Sequence, residues 1–449
     1  MMIDEQYLVK LIKHLKDADK QQFQGMIAEL QPYDIARLYE ELPEKHRSRF
    51  ILLLDPEQIA DLLEELERDE QYGVLVKLGV EKSGQVMDLM DNDDLALLLE
   101  GLSPERIEEL LAGMKQEESQ IVQSIMNYPP ETAGRIMTNR FVWIPESYTV
   151  SETVAKMKSF AVFSETINYL YVIDEDKRLT GVVSYRDLIL AEPHEQIRDI
   201  MFSRVISVLA ETDQEEAAML IERYDFLALP VVEENDRLVG IITVDDIIDV
   251  VIREATEDIE KLSASGKSID FDTKAFVAAY RRLPWLILLL FIGLVSGSII
   301  SSFEETISKV VALAFFMPMI AGMTGNTGTQ SLAVVVRGLI SREVDRELAA
   351  KLILRELAVG LIIGVTCGIL ISVIAYIWQG NVFLGLVVGG SLIITLIIGT
   401  LAGTIVPLVL YKLNIDPAVA SGPLITTLND IISLFVYFGI ATAFLSKLM

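Results

Sequence analysis

The sequence predicts a multidomain membrane protein. An all-α N-terminal domain of helical repeats comes first, then an α/β domain built twice over, then an all-α transmembrane domain of five helices. Three observations carry this reading. The formal net charge is −27 over 449 residues, yet Pro284 to Met449 holds eight acidic and eight basic side chains, so the whole excess lies in residues 1–283. Uncharged runs cover 284–303, 310–336 and 357–411, and 417–446 carries a single charge, Asp430. About 20 apolar residues cross a hydrocarbon core as a helix, so the third run suffices for two crossings, with Trp378-Gln379-Gly380-Asn381 as the turn between them. Two internal repeats organise the acidic part.

Residues 1–128 read as short helices. "PYDIARLYEEL" (32–42) recurs as "PEQIADLLEEL" (56–66) and more loosely as "NDDLALLLEGL" (92–102), with apolar residues at helical spacing in each. Proline, Asp or Asn marks each start. The N-terminus is too charged for a secretory signal.

Tyr128-Pro129-Pro130 opens the second domain, residues 129–250. There "YVIDEDKRLTGVVSYRDLI" (171–189) matches "PVVEENDRLVGIITVDDII" (230–248) at an offset of 59. Each copy reads as strand, turn, strand and helix, with Ser184 or Thr243 capping the helix. The pair resembles tandem CBS modules. That resemblance implies dimerisation and an adenine-nucleotide cleft, with the aspartate of a Ser/Thr-x-x-Asp helix start on the ribose; here those are Asp187 and Asp246. The same spacing is also an ordinary helix cap.

Residues 251–283 connect this module to the membrane, starting as an amphipathic helix. Gly266-Lys267-Ser268 looks like the end of a phosphate-binding loop, but Lys261 stands where that loop requires glycine. A nucleotide-hydrolysing motor is excluded. Residues 284–449 form the transmembrane domain. Arg281 and Arg282 precede its first span; Arg337, Arg342, Arg346, Lys351 and Arg355 lie between the second and third, Lys412 between the fourth and fifth, and Lys309 alone in the other loops. Positive loops face the cytoplasm, which places the N-terminal domains inside the cell membrane and the C-terminus outside.

The three histidines (His14, His46, His194) and the single cysteine, Cys367, are scattered, so no soft-metal site is visible. No nucleophile or protease signature suggests an enzyme, and net acidity argues against nucleic acid. The informative chemistry is in the spans. In "PMIAGMTGNTGTQSLAVVVRGL" (318–339), Pro318, Gly322, Gly325 and Gly328 can loosen the helix, though the glycines alone read better as close packing of small residues between helices, and Asn326 and Gln330 add side-chain oxygens one turn apart. In the fifth span Gly422, Thr426, Asp430, Ser433 and Tyr437 form one polar stripe with Asn429 beside it. A charge at the bilayer centre costs about 2.5–3.5 kcal/mol even on lenient scales. With no Lys or Arg at that depth, Asp430 is either protonated or balanced by a passing cation.

The domain order, "GNTGTQS" in the second span, and Gly422-Pro423-Leu424 followed by "TTLND" in the fifth resemble the MgtE magnesium-transporter family over essentially the whole chain. The resemblance implies a pore at a homodimer interface, with Asp430 holding hydrated Mg²⁺ and Asn326, Gln330, Gly422, Thr426, Asn429 and Ser433 lining the path. Gly422 departs from the asparagine that can occupy its position, which puts its own role in doubt. The resemblance also implies regulatory Mg²⁺ sites between cytosolic domains, at Asp61 and Asp93, at Glu215, Asp225 and Asp246, and at Glu257 and Asp258. A nucleotide pocket for ATP would use Tyr169, Arg186, Asp187 and Phe226. The expected function is a Mg²⁺-selective channel or transporter closed by cytosolic Mg²⁺. The alternative is a proton- or Na⁺-coupled carrier of divalent cations with the CBS pair sensing energy.

Overall fold

Prolines and acids at the starts of the N-terminal repeats do what their chemistry favours. In the computed structural model, which describes residues 5–17, 19–66, 68–160, 164, 166–263, 269, 273–340, 345–413 and 415–449, Pro32 opens α3 (Pro32–Glu41) and Pro56 opens α5 (Pro56–Glu64). Asp55 and Gln58 form a reciprocal capping box ahead of α5. Asp91 precedes α8 (Asn92–Leu99). These belong to a run of ten helices among the described residues, α1 (Glu5–Asp17) to α10 (Gln116–Met126). The i, i+3, i+4 leucines and isoleucines of each repeat, such as Ile35, Leu38, Ile59, Leu62, Leu63, Leu95 and Leu99, form one core.

The 59-residue offset persists in three dimensions. β2 (Thr166–Ile173) pairs antiparallel with β3 (Leu179–Ser184), and β5 (Ala228–Val232) with β6 (Leu238–Thr243). Tyr169 lies opposite Ser184 and Ala228 opposite Thr243, the same register in both copies. Lys177 and Asp236, also 59 apart, both adopt left-handed backbone in the connecting turns, with φ of 64° and 61°. Each sheet gains a third, parallel strand that the repeat did not reveal: β1 (Phe141–Pro145) beside β2, and β4 (Val208–Leu209) beside β5. Gly181 and Gly240 are glycines because a Cβ there would lie 2.5 Å from Met201 Sδ and 2.6 Å from Met137 Sδ. Helices α11 (Val150–Phe160), α12 (Tyr185–Leu190), α13 (Ile197–Ile200) and α14 (Gln214–Tyr224) complete the pair.

The chain divides into two compact units, Met1–Ile252 and Arg253–Met449. α15 (Val244–Leu262) runs from one into the other without interruption. Gly266-Lys267-Ser268 and Arg342 lie outside the described residues.

The second unit holds α16 (Ala275–Ser302), the short α17 (Glu304–Lys309), α18 (Ala312–Ile340), α19 (Arg346–Gln379), α20 (Val382–Lys412), a 3₁₀ turn (Pro417–Val419), α21 (Gly422–Ala443) and α22 (Leu445–Leu448). Four of these, α16, α19, α20 and α21, are long and apolar enough to cross a membrane. α18 is the fifth long helix; its 29 residues reach about 44 Å at 1.5 Å each, but its Gly, Thr, Asn and Gln content dilutes its apolarity. The expected turn is present: Gly380 ends α19 in left-handed backbone at φ 70°, and Asn381 caps α20.

Two expectations are refined. The helix that carries the first uncharged run does not begin at Pro284. α16 starts nine residues earlier and carries through Arg281, Arg282 and Pro284. Proline removes only the amide that would bond the Tyr280 carbonyl, and the long apolar run beyond it favours continuing as helix. Nor is α18 loosened by its glycines. It is continuous past Pro318, Gly322, Gly325 and Gly328, because Gly325 and Gly328 permit close packing. A Cβ on Gly325 would stand 2.8 Å from Thr426 Cγ2. On α19, Gly360, Gly364 and Gly368 repeat every four residues and face α20, where a Cβ on Gly389 would lie 2.4 Å from the Gly368 carbonyl oxygen. Small residues at that spacing let membrane helices approach backbone to backbone.

A Cβ on Gly403 of α20 would lie 2.1 Å from the Gly328 carbonyl oxygen, whereas one on Gly390 meets nothing within 4 Å. Gly403→Ala is therefore expected to destabilise the bundle by about 1–3 kcal/mol, and Gly390→Ala to leave it unchanged. Thermal unfolding of the full chain in detergent micelles measures both; equal stability of the two variants contradicts the packing account.

Candidate functional site

α21 carries Asp430, and its neighbours decide which of its polar groups can meet an ion. Gly422, Thr426 and Asp430 are partly exposed, and Asp430 has no salt-bridge partner among the described residues. Thr426 Oγ1 donates back to the Gly422 carbonyl at 2.9 Å. Asn429, Ser433 and Tyr437, expected on or beside the same polar stripe, are instead fully buried inside the chain. Tyr437 Oη donates to the Leu313 carbonyl at 2.9 Å, Asn429 Nδ2 to the Thr324 carbonyl at 3.4 Å, and Ser433 Oγ to the Asp430 carbonyl at 3.1 Å. The stripe is thus split by α18 packing against one side of it. Asn429 and Ser433 are removed from the residues that can line a path on the accessible face.

Asn326 and Gln330 are exposed on α18. Gln330 lines a recess of about 380 Å³ with Thr327, Ser331, Arg355, Glu356 and Thr400. Glu356 is buried there; Ser331 Oγ donates to its Oε2 at 2.8 Å and Arg355 Nη2 to its Oε1 at 2.9 Å. Sequence reasoning missed this carboxylate because it stands one residue before the uncharged run.

The end of α15 rests on the segment leading into α21. Leu262 packs with Leu332, Val336, Ala418, Ala420 and Ile425. Lys261 Nζ lies 2.6 Å from Glu257 Oε1 and 2.6 Å from Asp416 Oδ2. Burial, then repulsion from Asp416, raises the Asp258 pKa. Glu257 and Asp258, adjacent on α15, have Lys261 and Asp416 as neighbours that the sequence did not single out. A cavity of about 350 Å³ lies beside this helix, lined in part by Ile259, Glu260, Arg282, Trp285 and Pro423.

In the first unit, carboxylate oxygens of Glu64, Asp91 and Asp94 all lie within 4.8 Å of one another. Glu64 keeps solvent access but is crowded by protein; desolvation, then repulsion from Asp94, Asp91 and Asp61, pushes its pKa up to about 8. Burial, then Asp91, Asp249 and Asp245, raises Asp94 to about 6. Burial likewise raises Asp246 to about 7, against a lowering hydrogen bond from Thr243 and with Asp94 and Asp245 adding repulsion. The helical domain and the start of α15 thus present acids to each other. Of the expected sensor acids, Asp246 belongs here and Asp61 lies within electrostatic reach. Asp93 does not: it is 3 % exposed and faces the core, one residue from the Asp94 that joins the cluster. Acids at a helix start also suit the helix dipole, which masked Asp91 and Asp94 as mere caps. Glu215 and Asp225 sit at opposite ends of α14, about 15 Å apart along its axis, and form no site together in one chain.

In the α/β pair, Ser184 caps α12 and hydrogen-bonds Asp187, with Arg186 exposed between them and Tyr169 across the strands. Phe226 stacks on Tyr224, ring centroids 5.4 Å apart.

Long apolar helices, one of them carrying a carboxylate without a salt-bridge partner among the described residues, joined to an acidic unit with an α/β pair, define a multi-pass membrane transport protein. Comparison with known proteins specifies the family. The divalent cation transporter family MgtE matches residues 317–440, the MgtE intracellular N domain 30–131, and CBS domains 133–194 and 197–253. The magnesium transporter MgtE of Bacillus subtilis is 61% identical over 447 residues, covering 100% of this chain and 99% of its own; that of Thermus thermophilus is 38% identical, covering 98% of each. The solved soluble part of a magnesium transporter aligns at TM-score 0.53 and 36% identity over 56% of this chain and 99% of its own. The cytosolic domain of the Mg²⁺ channel MgtE in complex with ATP aligns at TM-score 0.52 and 36% identity, over 54% and 99%. The chain belongs to the MgtE family.

The raised acids generate a pH prediction. Their unfolded pKa values lie near about 4, so the stability tied to them is complete below that pH and is lost as pH rises through their folded values of about 6 to about 8. A 1–252 fragment in chelator should melt at lower temperature at pH 8 than at about pH 5, and millimolar Mg²⁺ should remove most of that slope by replacing protons. A melting temperature that rises with pH in chelator contradicts the cluster.

Proposed function

We propose that this protein is a Mg²⁺-selective channel or transporter whose pore lies at a homodimer interface and which cytosolic Mg²⁺ closes. One observation carries the reading: Asp430 sits on an apolar helix, partly exposed, without a salt-bridge partner among the described residues. Mg²⁺ takes oxygen ligands and gives up water reluctantly, so one or two carboxylates with retained waters suit it. Two Asp430 side chains across a twofold axis meet that demand, and Thr426 and Asn326 on the exposed faces would accept hydrogen bonds from the waters. The working domain division is 1–128, 129–250, 251–283 and 284–449, with the first two cytoplasmic.

Closure uses α15 as the link. Near its start, Asp246 repels Asp94; at its end, Leu262 and Lys261 rest on the 416–425 segment that opens α21. Divalent ions bound at Glu64, Asp91, Asp94 and Asp246 favour the arrangement that binds them, by mass action. Their neutralising effect holds the lever at one end while the Lys261 pair holds it at the other. The shared fold with an ATP-bound relative supports ATP as a ligand of the α/β pair, at Tyr169, Arg186, Asp187 and Phe226.

Asp430→Ala should abolish saturable Mg²⁺ uptake into liposomes while the purified protein still folds, and Asp430→Asn should lose preference for divalent over monovalent ions. Wild-type rate and affinity in Asp430→Ala would refute the pore assignment. Lys261→Gln should raise Mg²⁺ flux at low internal Mg²⁺ and leave closure at high Mg²⁺ intact, since bound divalents replace the lost ammonium. An unchanged low-Mg²⁺ flux removes Lys261 from the gate.

A further inference from the structure

We infer that Asn429 is a positioning residue: its buried amide, seated in the notch left by Gly328, sets the rotation of α21 and so aims the Asp430 carboxylate. The inference rests on the reading of Asp430 as the ion-binding group.

Asn429 is fully buried, and Nδ2 reaches the Thr324 carbonyl on α18 at 3.4 Å. The notch is specific to glycine. A Cβ on Gly328 would stand 2.1 Å from Asn429 Nδ2 and 3.1 Å from Ile425 Cγ2. A second bolt, Tyr437 Oη to the Leu313 carbonyl at 2.9 Å, lies about two turns along the same helix pair. Two such points on one face leave α21 no freedom to turn about its axis. One residue on a helix is a rotation of about 100°, so fixing Asn429 inward puts its neighbour Asp430 on the partly exposed flank. A slip by one residue would bury the carboxylate.

The amide is a poor choice for stability alone. Its Oδ1 is buried without a hydrogen-bond partner, an arrangement that native interiors avoid. An apolar side chain of similar shape would fill the notch without that orphan. What leucine cannot supply is the directional bond to Thr324. The orphan acceptor therefore marks a residue kept for direction. Its place is that of the outer partners that orient metal ligands, whose loss typically weakens metal affinity about 10- to 100-fold.

The test uses the full chain in liposomes and detergent. In an Asp430→Cys, Cys367→Ser background, the rate of thiol labelling by a charged, membrane-impermeant reagent reports how position 430 faces, whether or not it carries an ion. Adding Asn429→Leu should slow that labelling severalfold at unchanged or higher melting temperature. In the otherwise native chain, Asn429→Leu should raise the half-saturating Mg²⁺ concentration about 10-fold with a smaller change in maximal rate. Asn429→Ser, too short to reach Thr324, should do the same should the leucine variant fail to fold. Labelling unchanged in the variants that fold overturns the inference. Labelling slowed with Mg²⁺ affinity intact overturns the ion-binding role of Asp430 instead, and with it the inferred purpose of the clamp.

Discussion

The membrane unit depends on one constraint: a carboxylate, Asp430, with no salt-bridge partner among the described residues. Everything near Asp430 suits that condition. The helices around it are joined by glycines and hydroxyls, with backbone carbonyls as the acceptors. Thr324 and Gly328 of α18 present carbonyls that α20 approaches closely, and Gly399 of α20 presents its own toward Gly328. Packing of this kind supplies rigidity without supplying charge, so the negative end of the site stays available. Glu356 makes the contrast plain. It is a second buried carboxylate in the same unit, but Ser331 and Arg355 satisfy it completely, and it therefore acts as a fastening between α18 and α19.

The soluble unit applies the opposite logic. Its acids are numerous, and for Glu64, Asp94 and Asp246 burial, with repulsion from neighbouring acids added, raises the pKa toward neutrality. Arg140 pairs with Asp91, and protons or cations relieve the rest of the cluster. On the proposed function, a single carboxylate at Asp430 favours passage, since one ligand releases readily, and the crowded acids favour sensing, since every bound ion changes the repulsion felt by its neighbours.

Repetition and composition were the legible parts of the sequence. The offset of 59 recovered both sheets with register intact, and uncharged runs marked the long helices, because local chemistry decides both. Asp430 was legible for the same reason: its cost does not depend on neighbours. The errors arose where a neighbour decides. A helical wheel placed Asn429 and Ser433 on one stripe with Asp430, but the sequence does not say which side α18 will cover. Asp93 and Asp94 differ by one position on one helix, and tertiary packing alone turns the first inward and the second toward Glu64. The glycines of α18 left loosening and close packing both open in the sequence, and the neighbouring helices decide for packing. Strands β1 and β4 escaped notice because each is short and joins its sheet from outside the repeated segment.

α16 buries none of its residues within its own chain. Ile299 and Ile300 at its end pack on the cluster that holds Tyr437 and Phe438, and much of the rest faces outward. A helix so placed takes its tilt from hydrocarbon thickness at a cost of only fractions of a kcal/mol per Å of mismatch. It also follows α15 in the chain and carries Arg282 and Trp285 beside the cavity at the end of α15. On the proposed gating, bilayer thickness would then act mechanically on the same helix that the acids address chemically.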